Sequence, residues 1–418
     1  MLSRLRLGTA VLAVASLSWA FAHADNWSRF RGPNGAGVSD DANIPVKFSD
    51  KENLAWKVAI VGVGEGSPVV WNDGILLQNS PADGSKRSVQ CRNLKDGELI
   101  WESAIDAVRA KTHAKNSMAS QTPATDGKAV YAAMWDGKHV FLNAYSFEKG
   151  EKLWSHDLGA WESQHGPGSS PIVYKDTVYF SFDMDAKSAT LYAFEAKTGK
   201  KLWTAPREGY RACYAAPIIL ESKSGPQLIV TSTTAVTSYD LDSGSTNWNW
   251  TWTHTTKQPL RTVAGSLLVG DTVISFSGDG GGDRHTVALK LPDATGARPT
   301  LAWEMRKDLP YVPGPLAKDG YLYFVADKGF AGCYDAKTGS KVWYERVPEA
   351  YFTASPVMAG DRVYAPSEEG DVYVFKADAS KYQQLAKNHV GERIRATPAV
   401  ANGKLLIRGQ NHLFCFGK

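Results

Sequence analysis

Apolar residues recur along this chain in short runs, such as Asp176-Thr-Val-Tyr-Phe-Ser, Gly320-Tyr-Leu-Tyr-Phe-Val and Asp361-Arg-Val-Tyr-Ala-Pro. Runs of this length bounded by turn residues predict β-strands, and apolar residues on both alternate sets predict sheets covered on both faces. The strands come in repeats. A Gly followed four residues later by Trp occurs as Gly97/Trp101, Gly150/Trp154, Gly199/Trp203, Gly244/Trp248 and Gly339/Trp343. Each copy follows a strand-like stretch such as Leu191-Tyr-Ala-Phe-Glu-Ala or Ala331-Gly-Cys-Tyr-Asp-Ala. Thr-Gly, as in Ala196-Lys-Thr-Gly-Lys-Lys-Leu-Trp203, supplies a tight turn, and the Trp opens the next strand with a large apolar face. Trp303 is a further copy whose turn is widened around Pro292 to Pro299.

A second marker heads each unit: Ser67-Pro68, Thr122-Pro123, Ser170-Pro171, Ala216-Pro217, Gly314-Pro315, Ser355-Pro356 and Thr397-Pro398, with Gly265-Ser266 in the fifth place. Together the markers divide the chain into eight units, each reading as four short antiparallel strands. The last unit, Thr397 to Phe416, holds only three strands, whereas Asn53-Leu-Ala-Trp56-Lys-Val-Ala59 is a final strand with no unit before it. The pattern predicts an all-β, eight-bladed β-propeller of four-stranded antiparallel blades. Its ring closes when the N-terminal strand pairs into the last blade, which removes a free sheet edge. Trp56, Trp101, Trp154, Trp203, Trp248, Trp303 and Trp343 read as structural docking residues, because they recur from blade to blade.

Ahead of the propeller, assigned to residues 53–418, stand two further segments. Residues 1–24 read as a cleavable signal peptide, with Arg4 and Arg6 before the apolar stretch Leu7 to Leu17. Ala22-His23-Ala24 is the cleavage signal, and Ala20-Phe21-Ala22 satisfies the same rule. The apolar stretch is shorter than the roughly 20 residues of a membrane span. A periplasmic or secreted protein without a membrane anchor is therefore expected, as a monomer. Residues 25–52 form an N-terminal extension.

The 14 Trp, 17 Tyr and 15 Phe strengthen the strand reading. The formal net charge of +4 falls to about +2 without the leader's two arginines, too near neutral for a nucleic-acid partner. Of the four cysteines, Cys91 and Cys333 lie six residues before the repeat glycine, where Ala193 sits in another copy, and Cys415 aligns there too. A position that accepts Ala or Cys reads as a small packing site, so buried thiols are expected. The nine histidines show no metal-ligand spacing, and no metal site is predicted. Asp279-Gly-Gly-Gly-Asp283 reads as a glycine-rich hairpin.

The runs Gly-x-x-x-Trp and Ala-x-Thr-Gly resemble those of the pyrroloquinoline-quinone (PQQ) repeat, or tryptophan-docking, propellers over nearly the whole chain after the leader. The opening Trp27-Ser-Arg-Phe-Arg-Gly-Pro33-Asn-Gly-Ala-Gly37 looks like the start of secreted members of that family with mostly unassigned activity. The superfamily includes quinoprotein alcohol dehydrogenases and a lipoprotein of outer-membrane β-barrel assembly. The resemblance implies, for the dehydrogenases, PQQ and calcium in the central funnel, often with a ring formed by adjacent cysteines. This sequence has no adjacent cysteines, and no Glu/Asn/Asp calcium set can be carried over to it. The lipid-bearing cysteine of the assembly lipoprotein is missing as well.

Segments just ahead of the markers should rim the central channel. Glu65, His165, Arg211, Arg261, Tyr311, Tyr351 and Arg395 are the candidate funnel ligand-binding residues, and none is assigned a catalytic role. Guanidinium groups with aromatic faces suit a planar, anionic or carbohydrate-like ligand. The expected function is a non-catalytic binding or assembly module acting through funnel or blade edges, with a protein or small ligand as partner. A PQQ-dependent alcohol or sugar dehydrogenase is the alternative, and a carbohydrate-binding accessory protein the second.

Overall fold

The computed structural model describes residues 26–222, 225–292 and 297–417, so the proposed leader lies outside the described residues. Eight sheets follow one another along the chain, seven of them four-stranded and one five-stranded. The first blade shows the plan: Val69–Trp71 nearest the axis, then Gly74–Asn79, Lys86–Asn93 and Leu99–Asp106 in antiparallel order. The last blade is completed as the sequence predicts. Ala399–Ala401, Lys404–Arg408 and His412–Phe416 take Leu54–Ala59 as their outer strand, with Leu54 opposite Phe416 and Ala59 opposite His412. Among the described residues, no helix is long and apolar enough to cross a membrane.

The tryptophans join the blades. Each faces a small residue on the neighbouring strand of its own blade: Trp56 opposite Cys415, Trp101 opposite Cys91, Trp154 opposite Ala144, Trp203 opposite Ala193 and Trp343 opposite Cys333. A short side chain there leaves room for the indole to lie flat and reach the next blade. Its Nε1 then donates to a carbonyl of the following blade's turn, from Trp56 to Leu94, Trp101 to Phe147, Trp154 to Ala196, Trp203 to Leu241, Trp303 to Ala336 and Trp343 to Asp378, each at 2.9 Å. The four cysteines are accordingly free and buried, and burial pushes the thiols of Cys91, Cys333 and Cys415 up to about 12.

The repeat glycine has two duties. Gly199 holds φ at +73°, as its turn requires, and a Cβ added there would lie 2.6 Å from the Trp154 ring. The Gly-x-x-x-Trp unit therefore receives one indole and presents the next.

The marker hydroxyls tie the inner strands together. Ser67 N donates to Thr122 Oγ1 and Thr122 N to Ser170 Oγ, both at 3.0 Å. Gly314 N donates to Ser355 Oγ at 2.8 Å and Ser355 N to Thr397 Oγ1 at 3.0 Å. A Ser or Thr at the marker thus accepts the N–H of the blade before it.

Blade seven has Ala386 opposite Val374, where the other blades carry tryptophan. The extension fills that place. Phe48 is buried against Phe416 with ring centroids 4.5 Å apart. The Asn388 amide clasps it, accepting from Phe48 N at 3.0 Å and donating to Val46 O at 2.9 Å.

Before reaching that place the extension crosses the base of the ring, packed against the innermost strands and the marker residues that open them. Trp27 bridges Val70 of blade one, Ser28 O accepts from Thr125 N of blade two, and the Asn34 amide accepts from Ile219 N and donates to Ile219 O of blade four. Val38–Ser39 then runs parallel to Met358 and Ala359 of blade seven as a fifth strand, and Gly403 N of blade eight donates to Asp41 Oδ2. One short segment is thereby bonded to blades spread around the whole ring.

Two outcomes test this packing. Gly199→Ala should destabilise the protein by more than about 2 kcal/mol, combining overpacking with left-handed strain. Gly270→Ala, where φ is +57° and nothing lies within 4 Å, should cost about 1 kcal/mol. Equal losses in chemical denaturation would remove the indole's claim on the repeat glycine. Deleting Asn53 to Ala59 should lower the melting temperature by about 10 °C or more, because it opens the ring and exposes an edge. An unchanged melting temperature would contradict closure by this strand.

Candidate functional site: the mouth of the central channel

The segments ahead of the markers ring the open end of the channel, and their charged side chains gather in two clusters. In the first, Arg261 is buried and its Nη1 donates to Asp185 Oδ1 at 2.9 Å and to Ala212 O at 3.0 Å. Asp185 also accepts from Ala212 N at 2.8 Å and Gln164 N at 2.9 Å. Burial pushes this carboxyl up, but the bonds from Arg261 and the two amides outweigh it and hold the group below the usual carboxylate range.

His165 packs beside the same pair, with its ring centroid 4.6 Å from that of His113 and 6.5 Å from that of Tyr214. Burial first, then the charges of Arg261 and His113, bring its pKa down to about 4, so the ring is neutral at pH 7. Its Nδ1 is buried with no hydrogen-bond partner among the described residues. Tyr311 completes the cluster. Burial pushes its hydroxyl up to about 12, against the opposing charges of Arg261 and Arg211. Its backbone N–H and that of Val312 are held by Asp327 at 2.8 and 3.1 Å, while the Arg284 guanidinium lies 5.5 Å from its ring centre. Arg211 donates to Pro259 O at 3.2 Å.

The second cluster spans the ring. Arg395 of the eighth blade's approach binds Glu368 through Nε at 3.0 Å, and Ala114 O accepts from its Nη1 at 2.6 Å. Lys115, ahead of blade two, reaches Glu368 of blade seven at 2.5 Å. Glu65 lies 3.5 Å from Arg393 and 3.9 Å from Arg395. Burial raises the Glu65 carboxyl despite the arginines around it, whereas Glu368 is held low because its bonds to Lys115 and Thr353 outweigh burial.

The structure thus brings His165, Arg211, Arg261 and Tyr311 together and sets Glu65 with Arg395 apart from them. Tyr351 joins neither cluster. Its side chain is exposed, and its backbone N–H donates to Glu369 at 3.2 Å. Asp185, Asp327 and Glu368, which organise the clusters, are absent from the residues singled out in the sequence. Asp327 and Glu368 do carry a signal, because an acid stands just beyond the second strand of blades two, three, five, six and seven, as Asp136, Asp183, Asp279, Asp327 and Glu368; Asp185 lies two residues past its member of that series. Asp279-Gly-Gly-Gly-Asp283 is a hairpin tip, with the Asp279 carboxylate accepting from Gly282 N and Asp283 N at 3.0 and 3.1 Å. Among the described residues, no group of His, Cys, Asp and Glu is arranged to hold a metal ion.

The His165 environment predicts a pH effect. The folded protein keeps the ring neutral, while the unfolded chain takes up a proton below about 6.5, so stability should fall as pH drops from about 6.5 to about 4. Half-buried His254 and buried His285 are lowered in the same sense, so the readout is a difference. His165→Gln should flatten that limb of the denaturation-versus-pH curve, and a variant with the wild-type slope would contradict the half-buried neutral ring.

The family model described as outer membrane protein assembly factor BamB matches residues 46–211, 184–293 and 290–417. No curated protein sequence matches the chain. Among solved structures, BamB from Moraxella catarrhalis is similar with a TM-score of 0.61 and 12% identity, over 87% of this chain and 96% of that one. Quinohemoprotein alcohol dehydrogenase from Comamonas testosteroni is similar with a TM-score of 0.60 and 12% identity, over 94% of this chain and 80% of that one. At such identities these structures share the fold, while the family match extends over nearly all the described residues. The chain belongs to the BamB-like family of PQQ-repeat β-propellers.

Proposed function

We propose that this propeller is an exported, non-catalytic binding module whose ligand face is the channel mouth around His165, Arg211, Arg261 and Tyr311. The observation that carries this reading is the commitment of four mouth carboxylates. Asp185 is bound by Arg261, Asp327 by Arg284, Glu368 by Lys115 and Arg395, and Glu65 by Arg393 and Arg395. A carboxylate held by a guanidinium is a poor calcium ligand, and the four cysteines are buried singly in separate places. These residues do not fit a calcium-bound quinone, so no redox step is derived through one.

What the mouth does offer is a braced rim with an aromatic face at Tyr311 and a guanidinium, Arg211, free of any carboxylate partner among the described residues. Such a pair suits an acidic saccharide or another flat anion. The likeness to BamB favours a protein partner as the second reading, since that relative is described as an assembly factor. The leader-like Met1 to Ala24 supports export.

The test is calorimetric titration with oligogalacturonate, alongside incubation with PQQ and calcium. Saturable oligogalacturonate binding, weakened about tenfold or more by Arg211→Ala, is expected, together with no alcohol-dependent dye reduction. Retention of quinone with dye reduction would establish the dehydrogenase instead. Binding that ignores Arg211→Ala would move the ligand face elsewhere on the ring.

A further inference from the structure

The closed end of the channel holds two cations without counter-charges. Arg29 and Arg31 lie on the extension where it crosses the axis, and they are 5% and 3% exposed. Arg29 donates through Nη2 to Pro217 O, the marker proline of blade four, and Arg31 through Nη2 to Pro315 O, that of blade six. Arg31 also reaches Ala36 O at 3.4 Å. Among the described residues neither guanidinium meets a carboxylate, although a guanidinium has five N–H donors to place. Nε of both arginines and the Trp27 Nε1 of the same segment are buried with no acceptor among the described residues. A buried unpaired charge is among the costliest groups a protein can hold, and two side by side repel each other as well.

The cost of burial, and the effect of Arg31 on Arg29, are visible. Burial, with the neighbouring Arg31 adding to it, pulls the Arg29 pKa down to about 9, and burial pulls Arg31 down to about 10. Both stay protonated at pH 7 and so keep the charge that an anion would meet.

The surrounding sequence is cut to fit these guanidiniums. A Cβ on Gly314 would lie 2.0 Å from Arg31 Nη1, one on Gly37 3.0 Å from Arg31 Nη2, and one on Gly35 3.3 Å from Arg29 Nη2. This explains why blade six has Gly-Pro at its marker where most blades have Ser or Thr. Two neighbouring buried cations with donors left over and no carboxylate partner among the described residues are the make-up of an anion site.

We propose that Arg29 and Arg31 form a binding site for a small inorganic oxyanion, of the phosphate or sulfate class, at the closed end of the channel. Planar guanidiniums present parallel N–H pairs that match the oxygens of such an ion, and the low exposure admits little beyond the ion itself. The bound oxyanion would accept the unused donors and join blades four and six through the extension. This site stands apart from the mouth and does not rest on the ligand proposed there.

The experiment uses the full exported chain dialysed into chloride. Equilibrium dialysis with radiolabelled phosphate and with sulfate should show a single saturable class of site for at least one of them. That same ion should raise the melting temperature above a chloride control of equal ionic strength. Arg29→Gln and Arg31→Gln should each weaken binding about tenfold or more. Should either variant fail to fold, the wild-type dialysis decides alone. No saturable uptake of either oxyanion by the wild type would overturn the proposal. Uptake unchanged in a folded arginine variant would do the same. Glucose 6-phosphate binding as tight as phosphate would overturn the assignment to a small, enclosed ion.

Discussion

The docked indole is the interaction on which the rest of this molecule depends. A four-stranded blade has two apolar faces and cannot bury either one alone, so its stability is inseparable from its neighbours'. Trp154 shows how one side chain meets both demands of that contact. Its ring covers Gly199 and packs with Phe194 of the next blade, while Nε1 satisfies the Ala196 carbonyl at 2.9 Å. An apolar body with one directed donor fixes the angle between two sheets as well as their separation. Because each joint uses a residue from both partners, an error at one joint propagates around the ring.

The extension is understandable as the answer to the two places where that scheme fails. Blade seven lacks its tryptophan, and the ring needs a partner for the strand order at its seam. Phe48 and the Asn388 clasp supply the first, and Leu54–Ala59 supplies the second. The same segment plugs the channel base from Trp27 to Asp41. The extension thereby lies across the channel base, which sets the rim of ion pairs at the other end apart from an enclosed pair of arginines.

Those two ends obey different electrostatics. At the mouth, Arg261 with Asp185 and Arg395 with Glu368 pair opposite charges at 2.9 and 3.0 Å, so each charge is compensated within the protein and fixes loops of different blades against one another. At the base, screening is weak and each charge acts at nearly full strength. Removing one member of a rim pair would strand its partner, whereas Arg29 and Arg31 have no carboxylate partner among the described residues and need both their glycine clearances and a compensating charge.

The repeat was legible because its rules are local. A turn glycine, an indole four residues on and a small residue opposite it follow from backbone geometry and strand pairing, so eight blades, their seam and the buried cysteines could be read in one dimension. The mouth was legible only in part. The markers located the approaching segments, but which charges pair depends on how far each loop leans across the axis. Lys115 meeting Glu368, from blades two and seven, has no counterpart in sequence spacing. The role of the extension was the least legible. Its opening motif has no strand period, and its bonds run to residues as remote as Pro315 and Gly403. Sequence by itself determined the ring, since every blade repeats the same short-range contacts. Only the tertiary structure decided what fills the ring and which charges face one another across it, because those contacts form once closure has brought distant blades to a common axis.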